Sequence, residues 1–267
     1  MPTPSLPSIF VSHGAPTLSL DPGETGAFWQ RLAQELPRPQ AVLCVSAHWM
    51  TGEPAVSAPA RNATIHDFYG FPEPLYRLTY PAPGTPELAA RVSALLGEAD
   101  IACAVDGERG LDHGAWVPLR LMYPAADVPV IQLSIQPERD ATWHHRLGAA
   151  LAPLRDERVL VLASGGAVHN LRSVAWHGGP APPWATEFDD WLADTLAAGR
   201  EAELLDWTRR APHPHQAHPS TDHLLPLFVA LGAAGKGARG ERRHRGFTLG
   251  SLSMAAYQFD PGDRPIS

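Results

Sequence analysis

Apolar residues along this chain follow two alternating patterns, short continuous runs and longer stretches with helical spacing. A short run that is apolar on both faces indicates a buried strand, whereas apolar residues three and four positions apart indicate one face of a helix. By this criterion, strands are predicted at residues 8–12, 40–46, 101–105, 128–135 and 159–163. The segment 247–259 is predicted to close the fold as a strand or hairpin.

The stretches with helical spacing begin with residues that commonly start helices. Thr85 suits an N-cap and Pro86 the first helical position, and Asp140 is the N-cap expected for the next helix. Helices are therefore predicted at 85–97, 140–154 and 184–198, with a further helix starting near 221 or 222.

Strands and helices alternate from one end of the chain to the other, without an internal repeat or a biased linker. This alternation is typical of α/β proteins, in which helices cover a central sheet that is mostly parallel or mixed. We therefore expect one α/β domain over residues 1–267, with any functional site at the carboxyl ends of the strands.

Composition agrees with a globular chain and excludes some function classes. Hydrophobic residues make up 44% of the 267 residues and charged residues 18%, which is not the composition of a disordered protein. The formal net charge of −7 argues against nucleic acid as a partner, because such proteins carry a basic surface. No apolar run approaches the roughly 20 residues that span a bilayer.

The cysteines and the first residues of the chain indicate which cellular compartment to expect. Cys44 and Cys103 lie in apolar runs and are expected to be small buried residues, not a disulfide framework or a zinc ribbon. Residues 1–5 contain neither a basic segment nor a long apolar segment, so no signal peptide is expected. The expected location is the cytoplasm.

Histidine is unusually frequent, with 13 copies, and three of them follow predicted strands. His13 and His48 come at the ends of their runs, and His169 comes a few residues after the run 159–163. Because the carboxyl ends of strands line the crevice of an open α/β sheet, these three imidazoles are expected to converge. Gly165 and Gly166 nearby suit a close approach of backbone; a phosphate loop is the alternative, although the lysine of such loops is missing.

Two further histidines have neighbours that suggest a role. His113 lies in a glycine-containing loop beside Asp112, which suits either a catalytic group or a turn. His223 opens an apolar helix, and Asp222 beside it is a possible carboxylate ligand. The segment 213–219 is also rich in histidine, but its prolines oppose a helix there, so a solvated loop is expected.

The remaining histidines have ordinary explanations. On the helix that contains His144 and His145, at least one of the two is expected to face solvent, while His177 and His244 lie in polar loops. His66 belongs to an aromatic loop. That loop, with Phe68, Tyr69 and Trp49, either lines a pocket for a flat ligand or packs on the sheet.

The candidate site is rich in imidazole and poor in carboxylate, which favours Fe, Zn, Cu or Ni over Mg or Ca. A catalytic metal usually has three protein ligands and an open position, so further histidines would remain for acid–base chemistry. Neither the Gly-x-Ser-x-Gly motif of serine hydrolases nor the His-Glu-x-x-His motif of zinc proteases occurs.

Five separated motifs resemble the class III extradiol ring-cleavage dioxygenases, in particular the 4,5-DOPA dioxygenase subgroup. They are SHGAP at 12–16, VSAHW at 45–49, LDHGAW at 111–116, ASGGAVHNL at 163–171 and HLLPL at 223–227. The closing segment GSLSM at 250–254 is similar too, so the resemblance extends from about residue 9 to about residue 258.

The resemblance implies roles for five histidines. His13, His48 and His223 would ligate the metal, where protocatechuate-type members have a glutamate as the third ligand. His169 would be a base or a further metal ligand, and His113 an outer-sphere acid–base group. The implied cofactor is one divalent metal per chain, Fe(II) for dioxygenase activity, with Zn(II) possible in isolated protein.

The implied reaction inserts both atoms of O₂ into a catechol-type aromatic substrate, DOPA-like or related, and opens its ring. A small aromatic molecule and O₂ are thus the expected partners, without nucleic acid or membrane, in a monomer or small homo-oligomer. Two alternatives remain open: a zinc hydrolase that uses the same histidines, and a non-catalytic binding protein similar to Memo-type proteins.

Overall fold

A mixed sheet organises the part of the chain that the computed structural model describes, residues 5–260. Eight of the strands in these residues belong to it, in the order β4-β3-β5-β2-β6-β1-β10-β7, and β8 and β9 form a separate hairpin. The strands are β1 Ser8–Ser12, β2 Ala41–Met50, β3 Ala55–Ser57, β4 Ala104–Asp106, β5 Val130–Ile135, β6 Val159–Gly165, β7 Gly240–His244, β8 Phe247–Thr248, β9 Leu252–Ser253 and β10 Ala256–Phe259.

The centre of the sheet is parallel and its edges are mixed. Strands β5, β2, β6 and β1 run parallel to one another, whereas β3 pairs antiparallel with β5, and β10 pairs antiparallel with both β1 and β7. The parallel strands are buried on both faces, as their continuous apolar runs predicted. The α/β fold class expected from the sequence is therefore confirmed.

Helices cover both faces of the sheet. They are α1 Gly23–Glu35, α2 Pro86–Glu98, α3 His113–Met122, α4 Ala141–Ala150, α5 Pro183–Ala197, α6 Glu201–Leu205, α7 Trp207–Arg210, α8 Pro214–Ala217 and α9 Leu225–Ala234. One core layer lies between the sheet and α1 and α3, and the other between the sheet and α2, α4, α5 and α9. Every residue of α9 is buried, so this helix belongs to the interior.

The strand predictions hold at the centre of the sheet and fail toward its edges. The predicted strand 8–12 is β1 itself, but the run 40–46 continues as strand to Met50, so that His48 lies inside β2 instead of following it. The backbone stays extended there because Thr51 N–H donates to the Ile135 carbonyl of the neighbouring strand. The run 101–105 is mostly not strand; only the three-residue edge strand β4 forms, and it is largely exposed.

Three elements had no clear apolar signal. Helix α1 begins after Pro22 with two glycines in its first turn, and its apolar face is confined to a few residues. Strand β3 is only three residues long. Strand β7 is polar because it is the outer strand of the sheet, where Arg242 and Arg243 pair with carboxylates and an amide.

The helix ends show how far capping residues in the sequence predict where a helix begins and stops. Asp140 accepts a hydrogen bond from Trp143 N–H and caps α4 as expected. That helix ends at Ala150 and the chain continues as a 3₁₀ turn that contains Pro153, which cannot donate to the helical pattern. Thr85 occupies the N-cap of α2, but its side chain makes no capping hydrogen bond.

The histidine-rich segment 213–219 is largely exposed, as a solvated loop would be, but its prolines do not prevent a short helix. Pro214 stands at the first position of the short helix α8, where a proline is tolerated, and His218 directly after it is buried. Cys44 is buried as expected, while Cys103 is only partly buried.

Among residues 5–260, no helix combines the length and the apolar run that a membrane crossing needs. The expectation of no signal peptide rests mainly on residues 1–4, which lie outside the described residues, and so do residues 261–267 of the expected domain.

Candidate metal centre

Histidines from three separate segments meet at one end of the sheet. His13 follows β1, His48 lies near the end of β2, and His113 is the first residue of α3. Each offers a ring nitrogen to a group in which all the nitrogens lie within 4.8 Å of one another. The His13 and His48 Nε2 atoms are 3.0 Å apart, and the His48 and His113 ring centroids are 4.0 Å apart.

The other two histidines that the sequence singled out join the same cluster. The His223 ring centroid lies 5.3 Å from that of His13 and 5.0 Å from that of His48. His169 stacks on His223 with centroids 3.4 Å apart and an angle of 6° between the ring planes. The structure thus brings all five histidines together, and His169 contacts the group through the ring of His223.

Neighbouring parallel strands explain how distant residues converge. Strand β6 lies between β1 and β2, so Gly165 pairs with Ser12 while Ser164 pairs with Ser46. The strands therefore end side by side, and His13 N–H donates to the Gly165 carbonyl at 3.0 Å. The expected convergence at the carboxyl ends of the strands is what the sheet produces.

The glycine pair after β6 admits the backbone of His223. A Cβ atom at Gly165 would lie 2.0 Å from the His223 carbonyl oxygen, and Gly166 N–H donates to that oxygen at 2.8 Å. Only a residue without a side chain fits at Gly165. The glycines therefore serve the close approach that the sequence suggested, with a protein carbonyl as the partner.

The ring orientation of His13 follows from its partners on the sheet. Its Nδ1 lies 3.0 Å from the Ser164 hydroxyl, and that hydroxyl donates its only hydrogen to the Gly114 carbonyl. Ser164 must therefore accept a hydrogen bond from Nδ1–H of His13. This leaves a lone pair on His13 Nε2, which points toward His48.

Carboxylates face Nδ1 of three other histidines. Asp67 lies 2.9 Å from Nδ1 of His113 and 3.5 Å from Nδ1 of His48, and Asp222 hydrogen-bonds Nδ1 of His223. A carboxylate next to Nδ1 favours the tautomer with a hydrogen there and a lone pair on Nε2. The sequence pointed to Asp222 as a possible ligand; its side chain instead binds its neighbouring histidine.

Burial keeps the imidazole rings of His13, His48 and His169 neutral. The pKa of His13 and of His48 is lowered well below its ordinary value, first by burial and then by the neighbouring histidines. The same causes lower the pKa of His169 to about 2. Burial alone would raise the pKa of Asp67, but hydrogen bonds from His113 lower it to about 2. A neutral imidazole, which burial favours at His13 and His48, is the form in which histidine binds metal.

The arrangement of nitrogens fits a bound cation. Nε2 of His13 has a lone pair and lies 3.0 Å from Nε2 of His48. When Asp67 keeps hydrogen on Nδ1 of His48, Nε2 of His48 has a lone pair too, and two facing lone pairs repel unless a positive charge lies between them. Within residues 5–260, Nε2 of His223 is also buried without a hydrogen-bond partner. Imidazole nitrogens without carboxylate oxygens suit Fe, Zn, Cu or Ni.

The aromatic loop packs on the fold, which is one of the two roles that the sequence left open, and it also reaches the histidines. The ring of His66 donates to the Leu78 carbonyl and packs against Trp116, so this part of the loop is packed on the fold. Phe68 is buried and meets the ring of His113 edge-on, with centroids 5.7 Å apart. Tyr69 is 90% exposed. Phe68 is thus the residue of this loop that forms an apolar wall beside the histidines.

The other histidines lie apart from the cluster. His215 is exposed whereas His218 is buried and donates from Nε2 to the Ala167 carbonyl at 3.0 Å, so the two do not form a metal pair. His144 is buried with Nδ1 bonded to the Asp140 carbonyl, and His244 stacks on Phe28.

Asp67 is the polar residue of the site that sequence reasoning missed. It stands 46 positions before His113, in a loop without a motif or spacing that links it to any strand end. Its only signal was its position beside His66 in the aromatic loop.

Comparison with known proteins gives a consistent result. Residues 7–260 match the family described as the catalytic LigB subunit of aromatic ring-opening dioxygenase. The chain is 43% identical over 256 residues to the 4,5-DOPA dioxygenase extradiol of Beta vulgaris, covering 94% of this chain and 96% of that one. It is 42% identical over 262 residues to the protein of the same name from Escherichia coli K12, covering 97% and 96%.

A solved structure is similar as well. The crystal structure of an uncharacterized protein from Escherichia coli K12 superposes with a TM-score of 0.78 at 38% identity. The superposition covers 95% of this chain and 99% of that one, so the similarity in sequence and the similarity in fold extend over nearly the same length.

Proposed function

Because this chain belongs to the LigB family of aromatic ring-opening dioxygenases and is an extradiol dioxygenase, we propose that it opens a catechol-type ring, DOPA-like or related. Both atoms of O₂ enter the product. The observation that carries this proposal is the convergence of five histidines: Nε2 of His13 and Nε2 of His48 lie 3.0 Å apart, and Nε2 of His223 is buried beside them without a hydrogen-bond partner among the described residues. We take the whole chain, residues 1–267, as one catalytic domain.

One divalent metal ion would be held by His13, His48 and His223, with His169 beside it as a base or a further ligand. Nδ1 of each of these three rings has a partner, Ser164 for His13, Asp67 for His48 and Asp222 for His223, so Nε2 would be the ligand atom. When bound, Fe(II) supplies the Lewis-acid and redox chemistry through which O₂ reacts with the ring. Zn(II) suits the same nitrogens but has no redox chemistry, so zinc-loaded protein is expected to be inactive.

His169 would accept a proton from a catechol hydroxyl. Its ring is neutral because burial, with the neighbouring His223, lowers its pKa to about 2. It therefore takes up a proton only when the negative charge of the substrate is close enough to stabilise the resulting cation. Its stacking on His223 holds the ring at the edge of the cluster, from which it would reach a substrate hydroxyl.

His113 would donate a proton to an oxygen atom during ring opening. Asp67 holds a hydrogen on Nδ1, so Nε2 is the atom available to the substrate. Because Nδ1 is held by Asp67, any proton that His113 passes to the substrate would leave from Nε2. Phe68 lies edge-on to His113 and supplies an apolar surface for an aromatic ring.

The test is to reconstitute metal-free protein with Fe(II) under anaerobic conditions, then add O₂ and a panel of catechols that includes DOPA. A yellow ring-opened product that forms only with both Fe(II) and O₂ is the expected result. Turnover of a hydrolysable substrate without O₂ would instead favour a zinc hydrolase. No product from any catechol would contradict the proposal and favour a binding protein.

A further inference from the structure

One carboxylate, that of Asp67, contacts two histidines of the cluster through its two oxygen atoms. Oδ1 accepts hydrogen bonds from the backbone N–H and from Nδ1–H of His113, both at 2.9 Å. Oδ2 lies 3.5 Å from Nδ1 of His48. The side chain is about one quarter exposed, at 23%, so much of its charge is directed into the protein.

The loop that carries Asp67 is fixed on the fold immediately before this residue. Ile65 N–H donates to the Leu111 carbonyl at 2.8 Å, and the indole N–H of Trp116 donates to the Ile65 carbonyl at 3.0 Å. His66 donates to the Leu78 carbonyl at 3.0 Å. These three hydrogen bonds, made by Ile65 and His66, leave the Asp67 carboxylate little freedom to move away from the two imidazoles.

Asp67 also completes the start of helix α3. The first backbone N–H groups of a helix have no partner within the helix. Asp112 is the N-cap and accepts from Ala115 N–H, while Asp67 accepts from the N–H of His113, the first helical residue. A negative charge is stabilised at this end of a helix, so the backbone holds Oδ1 in place independently of the His113 ring.

We infer that Asp67 is a positioning residue that sets the tautomers of His48 and His113 together, placing hydrogen on both Nδ1 atoms and both Nε2 lone pairs toward the centre. The inference deepens the proposed function, since it rests on the roles assigned there to these two rings. A carboxylate oxygen only accepts hydrogen bonds, so Nδ1 of His113, at 2.9 Å, must carry hydrogen. Nδ1 of His48 lies 3.5 Å from the other oxygen, where the negative charge favours hydrogen on this nitrogen as well.

The substitution Asp67→Asn is expected to change the tautomer of His48 and to leave that of His113 unchanged. The amide oxygen must take the Oδ1 position, because the backbone N–H of His113 needs an acceptor. The amide NH₂ then faces Nδ1 of His48 and donates to it. His48 is thereby driven to the tautomer with hydrogen on Nε2, which cannot bind metal, while His113 keeps its tautomer.

Nitrogen NMR of the metal-free protein tests this directly. Signals are assigned with His48→Gln and His113→Gln. In the unsubstituted protein both His48 and His113 are expected to carry hydrogen on Nδ1, and in Asp67→Asn only His48 is expected to change to Nε2–H. Zn(II) affinity is expected to fall about 10–100-fold, as is typical when the partner of a metal-binding histidine is removed.

Asp206→Asn is the matched control. Asp206 has a similarly exposed side chain, at 24%, but pairs with Arg209 and Arg210 instead of histidines. This variant should retain the histidine tautomers and the Zn(II) affinity. A loss of thermal stability in Asp67→Asn without a change of tautomer would show a structural role only and overturn the inference.

The unsubstituted protein alone also provides a test, should Asp67→Asn fail to fold. Hydrogen on Nε2 of His48 or of His113 in the metal-free protein would overturn the inference. If His48 and His113 both carry hydrogen on Nδ1 but the protein cleaves no catechol, the proposed function is contradicted and the role of Asp67 stands.

Discussion

Two regions of this molecule are rich in histidine, and they use it in opposite ways. The strand-end cluster draws five histidines from five separate segments, and the Nε2 atoms of His13 and His48 face each other there at 3.0 Å. The segment 213–218 has three histidines within six positions, yet His213 pairs with Glu187, His215 is exposed and His218 donates Nε2 to a backbone carbonyl. Closeness in sequence therefore does not make a site. What distinguishes the cluster is the direction of its unshared nitrogens.

The largest expected effect comes from removing a ligand in the cluster. His13→Ala and His48→Ala should each lose the bound metal and all ring-opening activity, because each removes one of the two lone pairs that meet at 3.0 Å. His215→Ala, in the exposed part of the other region, should retain both. Metal analysis by mass spectrometry together with a catechol assay measures this. Full activity in a His13→Ala protein without metal would contradict the account.

The acid–base pair is expected to give the next largest effect. His113→Ala and His169→Ala should retain one metal ion per chain while kcat falls by about 10²–10⁴-fold, the usual contribution of a positioned acid or base. Metal content and kcat are measured on the same sample. Loss of metal in His113→Ala would instead make His113 a ligand, since its nitrogen lies within 4.8 Å of those of His13 and His48.

The glycine after β6 offers a way to displace His223 without changing a histidine. Gly165→Ala would place a Cβ atom 2.0 Å from the His223 carbonyl oxygen, so this turn must move. We expect a loss of about 1–3 kcal/mol in the free energy of unfolding, the usual cost of overpacking, together with weaker metal binding. Gly52→Ala, where a Cβ meets no atom within 4 Å, is the control. Equal behaviour of the two variants in denaturant unfolding and metal titration would argue against this function of Gly165.

The smallest expected effect concerns the structural histidines outside the cluster. Burial lowers the pKa of His144 and of His218 to about 4. Because an unfolded histidine titrates near 6.5, the unfolded chain binds protons that the folded chain does not as the pH falls from about 6.5 to about 4. Their stabilising contribution is therefore complete above pH 6.5 and is lost below it.

Urea unfolding of metal-free protein at several pH values measures this dependence. His218→Gln, whose amide can still donate to the Ala167 carbonyl, should flatten the slope below pH 6.5. His215→Gln, at an exposed position, should leave the slope unchanged. A slope that His218→Gln does not alter would show that other groups produce the pH dependence.

The sequence predicted those parts of the site that depend on strands. The runs that become β1, β2 and β6 are apolar on both faces, and such strands lie in the middle of a parallel sheet, so histidines at their ends must come together. Gly165 and Gly166 were also informative, because two adjacent glycines after a buried strand signal a close approach.

The features missed from the sequence all depend on contacts between distant segments. Asp67 reaches His48 and His113 only because its loop is hydrogen-bonded to Leu111 and Trp116, and no local pattern encodes that contact. The tautomers follow from the same contacts. Strand β7 was missed for a local reason. It is an outer strand with paired arginines, and it lacks the apolar alternation that marks a strand.

The central claim is that one metal ion is held by lone pairs that the fold directs to one point. The most direct measurement is a crystal structure of anaerobic, Fe(II)-loaded protein with diffraction recorded at the iron absorption edge. The account predicts one iron peak per chain, in contact with Nε2 of His13, His48 and His223. An iron bound in the segment 213–218, or one bound by His113 in place of His223, would contradict it.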